Sequence, residues 1–303
     1  MAKRNRFSAR AGFLLSTLKR LAQGQDRNCP YCRSEKTEFL ARKKILLELR
    51  RCNACSLMFR YPKDDSDVSI EYYQSDYSEG MTTDIPGTDE IAHLLETNFS
   101  GTDLDFSRNI SIVMANSNKG KILDYGCSWG YAGFQFAKLG YDVTGFEISK
   151  PRAKFGREKL GVEIVDEFSQ IDALPDNSFD VIYTRHVLEH VSNLHDAFET
   201  FQRLLKRDGT LFIFVPNAGG EDARRMGTKW GHHISEKHVL ALDKSFFNKA
   251  LTEFGFSLQY NSWPHDKPLQ DANSDEALDG IELLVVAKYA DPSTSGDVLP
   301  ENQ

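Results

Sequence analysis

From residue 120 onward the chain alternates short runs rich in β-branched and aromatic residues with helical stretches, and this alternation restricts the fold more than any other feature. Strands are predicted at 121–125, 142–147, 162–165, 179–184 and 210–215, with helices near 131–139, 150–160 and 194–206. A strand that returns through a helix lies parallel to its predecessor, so the pattern predicts a mostly parallel sheet flanked by crossover helices. The helix at 194–206 runs into Lys206, Arg207, Asp208 and Gly209, which suit a helix C-terminus. After a polar stretch at 219–237 the order shifts to a helix at 244–254 and two final strands, 256–261 and 281–288.

The N-terminal part has a different character. Residues 6–22 read as one amphipathic helix, with Phe7, Ala11, Leu14, Leu15, Leu18 and Leu21 on one face and Arg6, Arg10 and Arg20 on another. Docking of the apolar face on the chain's own core or on a second subunit is expected, with peripheral contact to a membrane surface as the alternative. Residues 66–117 read as helical, broken around Gly80, Pro86 and Gly101. The tail from Asp291, rich in Ser, Pro and acidic residues, is expected to be disordered. The organisation predicted is therefore a basic helix (1–26), a cysteine module (27–63), a helical linker and lid (64–118), a ligand-binding α/β domain (119–290) and a tail (291–303).

Four of the five cysteines form two CxxC pairs, Cys29/Cys32 and Cys52/Cys55, separated by 19 residues. Each pair places two thiolates on one tight turn, and two such turns complete the S₄ shell of a closed, structural Zn²⁺ site. Disulfides are the alternative. They are disfavoured because the short apolar patch at 13–15 is no secretory signal and the chain is expected in the cytoplasm. No apolar run approaches the roughly 18–20 residues of a membrane helix. Residues 1–63 hold 16 Lys/Arg against 4 Asp/Glu, whereas the remaining 240 hold 21 against 40, so the basic end could meet an anion (a phosphorylated sugar, nucleic acid or an anionic membrane surface), with a solvated basic surface as the alternative.

The first predicted strand of the α/β region runs into Gly126-Cys127-Ser128-Trp129-Gly130 before a helix begins. Such a turn brings a ligand against backbone N–H groups at a helix N-terminus. Glu147, 23 residues after Asp124 at the end of the next strand, stands where an acid binds a ribose diol. A dinucleotide site needs a second glycine where Ser128 stands. S-adenosylmethionine has no pyrophosphate and suits the GxxxG spacing better. Cys127 reads as a small buried residue rather than a nucleophile.

With CPYC and CNAC, SLMFRYP, IEYYQSDY, ILDYGCSWG, VTGFEIS, ALPDNSFDVIYTRHVLEHV, LKRDGTLFIFVPN and WGHHISEKHV, residues 27–260 resemble the class I S-adenosylmethionine-dependent methyltransferases. The resemblance is closest to the group with a four-cysteine zinc module ahead of the Rossmann-like domain. It implies an α/β fold with a Rossmann-like, mostly parallel sheet whose last strand is antiparallel, plus a small zinc-ribbon-like module. Asp124, Gly126 and Gly130 would then surround the methionine moiety, Glu147 would bind the ribose, and Asp172 with Ala173 would meet the adenine. Tyr72, Tyr73 and Tyr77 resemble the aromatic lid of such enzymes. Residues after the fourth strand edge the active site in this fold, which brings in Arg185, His186 and His190. His232 and His233, beside Trp230, form a second set where acceptor-binding elements commonly sit. His186, His232 and His233 are the candidate bases, while His190 and Glu189 read as structural or orienting groups. The acceptor expected is a sugar, glycan, nucleotide sugar or other small molecule. RNA gripped by the basic module and a non-catalytic cofactor-binding scaffold are the alternatives, and oligomeric state is left open.

Overall fold

The computed structural model describes residues 2–63, 84–235 and 238–290, with side chains of the first helix described from Gly12. The readings placed on 64–83, including Tyr72, Tyr73 and Tyr77, and on the tail from residue 291 lie outside the described residues. The large sheet has eight strands. Its parallel half comprises β4 (Lys121–Tyr125), β5 (Asp142–Phe146), β6 (Glu163–Val165), β7 (Phe179–Arg185) and β8 (Leu205–Pro216). β10 (Phe256–Ser262), β11 (Gln270–Asp271) and β12 (Glu282–Tyr289) complete the order β11-β10-β12-β8-β7-β4-β5-β6. The last strand, β12, is reversed as expected: it inserts between β8 and β10 and pairs antiparallel with both, so β10 keeps the direction of β8, and the two-residue β11 adds a second reversed strand at the edge.

Buried on both faces, the central strands are apolar almost without interruption, as a covered parallel sheet requires. In β8, Leu211, Ile213 and Val215 pack in one layer with Phe198 and Phe201, while Phe212 and Phe214 pack in the other with Phe136 and Tyr183. The helix carrying Phe198 ends earlier than predicted. It spans Leu194–Leu204, and residues 206–209 already belong to β8. Leu205 pairs with Phe179, and Lys206 Nζ reaches Asp180 Oδ1 at 2.7 Å. A Cβ on Gly209 would lie 2.8 Å from Leu205 Cδ1, so the glycine serves a tight strand entry rather than a helix cap.

A second, antiparallel sheet is made from β1 (Thr37–Lys43), β2 (Leu47–Cys52) and β3 (Met58–Tyr61). Its fourth strand, β9 (Leu240–Ala241), comes from the far end of the α/β region, with Met58 opposite Ala241 and Phe59 opposite Leu240. Cys29, Cys52, Cys55 and Phe59 share one buried cluster with Phe246 and Leu251 of the helix Lys244–Glu253. The cysteine segment thus contributes to the main core rather than standing off it.

Helix α1 (Ala2–Ala22) docks by a face other than the one its leucines predict. Thr17 and Arg20 are buried, whereas Leu14, Leu15 and Leu18 are 49 %, 68 % and 44 % exposed. Hydrogen bonding explains the reversal. Arg20 Nη2 donates to Ser16 Oγ at 2.9 Å and Nη1 to the Lys63 carbonyl at 3.4 Å, and the Phe13 ring lies under the Arg60 guanidinium at 5.3 Å. A buried guanidinium with carbonyl and hydroxyl partners is retained where an unpaired one would be expelled.

Candidate active site

The carboxyl ends of β4, β5 and β7 open into a cavity of about 520 Å³. Of the residues expected there, Asp124, Gly126, Glu147, Asp172, Arg185 and His186 line it. Gly130 and Ala173 do not. Gly130 instead caps the helix Tyr131–Lys138 at φ +83°, and its neighbour across the turn is Ile164. Gly126 is required twice over: its φ is +82°, and a Cβ there would meet Val187 Cγ2 at 2.3 Å. The turn therefore passes close under the segment that carries His186.

Glu147 is the best-held group in the cavity. The Ser149 N–H donates to Oε1 at 2.7 Å and the Ser128 N–H to Oε2 at 3.0 Å, which fixes the carboxylate plane at the end of β5. Burial raises its pKa despite these donors. Asp124 is different. It is buried, its Oδ2 has no hydrogen-bond partner among the described residues, and burial lifts its pKa to about 7. An orphaned buried acceptor is costly unless a ligand completes it, and the ammonium of a bound amino acid is a donor of the right charge. Asp172, at the end of the short helix Phe168–Asp172 that follows β6, lines the same cavity together with Phe168. Cys127 is buried and its thiol pKa lies well above the ordinary value because of that burial, in keeping with an inert packing role.

A second cavity of about 310 Å³ shares Arg185 and His186 with the first and adds Trp230, His232, Trp263 and Glu282. Glu282 organises this junction. Its Oε2 takes Arg185 Nη2 at 2.9 Å and His186 Nε2 at 2.6 Å, and its Oε1 faces His265 Nε2 at 3.0 Å. Burial opposes its charge, but His186, His265 and Arg185 together hold its carboxyl well below the usual carboxylate range. On the other side, His186 Nδ1 stands 3.3 Å from Glu189 Oε1. Burial disfavours an imidazolium, yet the carboxylates of Glu189 and Glu282 outweigh it and raise the His186 pKa to about 9. His186 accordingly carries a proton at neutral pH in the free protein, where a waiting base would be neutral.

The remaining histidines separate. His232 lines the second cavity, but His233 lines neither: it is buried, its Nδ1 is 2.7 Å from the Gly227 carbonyl, and its ring packs on Trp230. Glu282 and His265 were not among the residues singled out from the sequence. The trace that pointed to Glu282 is an acid at the head of the apolar run 283–287 of the strand Glu282–Tyr289.

The four cysteines also come together. Cys29 and Cys55 Sγ are 3.5 Å apart, as are Cys32 and Cys52 Sγ, and all four sulfurs lie within 4.8 Å of one another. None is in a disulfide. A Zn–S bond of about 2.3 Å implies a tetrahedral edge of roughly 3.8 Å, close to the spacing observed.

A family described as a methyltransferase domain matches residues 90–261. The chain belongs to that family. This methyltransferase domain spans β4 to β10 and contains both cavities' principal residues apart from Trp263, Ile281 and Glu282. Among curated relatives, the domain is similar to phosphoethanolamine N-methyltransferase 1 of Arabidopsis thaliana, 36 % identical over 143 residues, 45 % of this chain and 28 % of that protein. It is also similar to a ubiquinone biosynthesis O-methyltransferase of Pelagibacter ubique (strain HTCC1062), 28 % identical over 163 residues, 47 % of this chain and 68 % of that protein. The match thus spans little more than a quarter of the first relative's length. A solved S-adenosylmethionine-dependent methyltransferase from Archaeoglobus fulgidus superimposes with a TM-score of 0.49 at 18 % identity, over 65 % of this chain and 99 % of that one.

Proposed function

We propose that the chain is an S-adenosylmethionine-dependent methyltransferase acting on a small sugar or sugar phosphate. The observation that carries the acceptor reading is the second cavity, small, walled by the indoles of Trp230 and Trp263, and flanked by the cation of Arg185. Indole faces pack against the C–H faces of a sugar ring, and a guanidinium pairs with phosphate. The names of the relatives, which concern phosphoethanolamine and ubiquinone biosynthesis, likewise point to small acceptors.

In this reading Glu147 accepts from the ribose hydroxyls, Asp124 pairs with the amino-acid ammonium, and Asp172 meets the adenine. S-adenosylmethionine, when bound, supplies a methyl group on an electrophilic sulfonium. Arg185, His186 and Glu282 form a rigid wall between the two chambers, so their part is to orient the acceptor and exclude water. Tyr73 and Tyr77 remain candidates for covering the cofactor. We propose further that Cys29, Cys32, Cys52 and Cys55 hold a structural Zn²⁺, with all four coordination positions filled by sulfur.

The test is transfer of label from methyl-labelled S-adenosylmethionine to a panel of sugar phosphates, nucleotide sugars, phosphoethanolamine, a catechol and RNA. Label on the sugars supports the assignment. Label on RNA alone, lost steeply with salt, overturns it, as does label on phosphoethanolamine or the catechol alone. Cofactor binding without transfer to any of these acceptors overturns the sugar assignment as well.

A further inference from the structure

Beside the wall between the two chambers lies a cluster that the reading above leaves unused. Glu189 and His190 stand on the single helical turn Leu188–His190 that follows β7, and His238 approaches from a segment 48 residues later. One backbone bond joins the two segments: the Val239 N–H donates to the Glu189 carbonyl at 3.1 Å. Glu189 is 1 % exposed, and neither carboxylate oxygen has a partner in hydrogen-bond geometry among the described residues. Histidines surround it instead. His186 Nδ1 approaches Oε1 to 3.3 Å and His190 Nε2 to 3.8 Å, and the His190 and His238 rings meet edge to face at 4.7 Å. One ligand atom each from Glu189, His190 and His238 lies within 4.8 Å of the other two. Burying a carboxylate is costly; the His186 imidazolium faces it from one side only, and on the other side the rings of His190 and His238 bring two further nitrogen ligands to it.

We infer that Glu189, His190 and His238 form a binding site for a divalent transition-metal ion, separate from the four cysteines and open toward the cofactor cavity. Two imidazoles and one carboxylate make a nitrogen-rich set that suits Zn²⁺, Fe²⁺ or Co²⁺ better than Mg²⁺ or Ca²⁺, and three protein ligands leave positions open. With metal–ligand bonds of about 2.1 Å a tetrahedral edge is roughly 3.4 Å, so the 3.8 Å between His190 and Glu189 needs only a small side-chain adjustment. The Nδ1 of His238 is directed to the His232 carbonyl at 3.3 Å, which leaves Nε2 as the ligand atom and sets the tautomer. His190 also lines the cofactor cavity, so the open positions adjoin the place of methyl transfer.

The role of the ion rests on the methyl-transfer reading. It would hold a hydroxyl of the acceptor and lower its pKa. The O–H proton passes to water, the new C–O bond forms as the S–C bond of the cofactor breaks, and the sulfonium becomes a neutral thioether. The inference therefore specifies O-methylation of a hydroxylated acceptor.

Ion binding is measurable without any acceptor. Full-length protein with its cysteine site zinc-loaded is titrated with Co²⁺ by calorimetry and absorbance, with cofactor binding followed separately. Thiolate-to-cobalt charge-transfer absorption reports exchange at the cysteines, which a nitrogen- and oxygen-ligated site lacks. The expected result is one further equivalent of Co²⁺ without thiolate absorption, bound at least tenfold more weakly by His238→Ala and by Glu189→Gln, both with cofactor affinity unchanged. Wild-type protein that binds the cofactor but takes up Co²⁺ only with thiolate absorption overturns the metal site and leaves the methyltransferase reading intact. Equal Co²⁺ affinity in wild type and the folded variants also overturns it. Because the wild-type stoichiometry decides by itself, a variant that fails to fold does not rescue the idea. Loss of cofactor binding in the wild type would strike the functional reading instead.

Discussion

At the scale of single residues, the two carboxylates of the cofactor cavity are in opposite conditions. Glu147 is held by two backbone donors; in its proposed role at the ribose diol, Glu147→Gln, which removes the charge from a pair of charge-assisted bonds, should weaken S-adenosylmethionine binding roughly 10- to 100-fold, from the ~1.5–3 kcal/mol of such hydrogen bonds. Calorimetry on the purified variant measures this directly. Asp124 lacks a donor for Oδ2, and burial raises its pKa from 3.8 to about 7. A carboxyl whose folded pKa lies above its unfolded value binds its proton more tightly when folded, so the free protein loses stability as pH rises from about 4 to about 7. The full penalty is at most roughly 4 kcal/mol above that window. Asp124→Asn has no such titration. Thermal melts of the free protein should show the variant more stable than wild type at pH 8, with the gap closing toward pH 4, while cofactor binding is lost. Asp124, Gly126 and Glu147 were legible in the sequence because each sits within one residue of a strand end, and strand ends are marked locally by glycine and by the end of an apolar run. Glu282 and His265 were not. Glu282 meets His186, and His265 meets Glu282, only because β12 lies beside β8 with Glu282 opposite Pro216, a register that no local pattern encodes.

At the scale of elements, helix α1 shows how periodicity can identify a helix and still mistake its buried face. The leucine stripe was plain in the sequence, but the contact is made by Arg20, Thr17 and Phe13, whose partners at Ser16, Lys63 and Arg60 lie partly in distant strands and loops. Arg20→Ala should therefore cost about 1–3 kcal/mol through the unpaired Lys63 carbonyl and lost packing. Leu15→Gln, by contrast, should stay within about 0.5 kcal/mol of wild type, as surface changes do. Urea denaturation of the two variants measures both. The five parallel strands lie close to their predicted positions because each strand-helix unit is encoded by contiguous residues. The helix terminus placed at 206–209 failed for the converse reason: Lys206 answers Asp180 across the sheet rather than its own helix's carbonyls.

For the whole molecule, the joining strand β9 and the shared core make the cysteine segment a part of the α/β fold. Metal analysis should find one zinc associated with the cysteines. Cys52→Ser, or removal of that zinc by a chelator, should lower the melting temperature of the entire chain by roughly 5–10 °C in a single transition, the equivalent of a loss of about 2–3 kcal/mol. A separate low-temperature transition that leaves cofactor binding intact would mean that the segments unfold independently. The same strand has a consequence for the newborn polypeptide. Met58 emerges from the ribosome some 180 residues before Ala241 exists, an interval of about 10–35 s at ordinary elongation rates. Throughout that wait the rim of the half-built sheet offers bare amides to any passing chain, the kind of edge on which nascent chains pair wrongly.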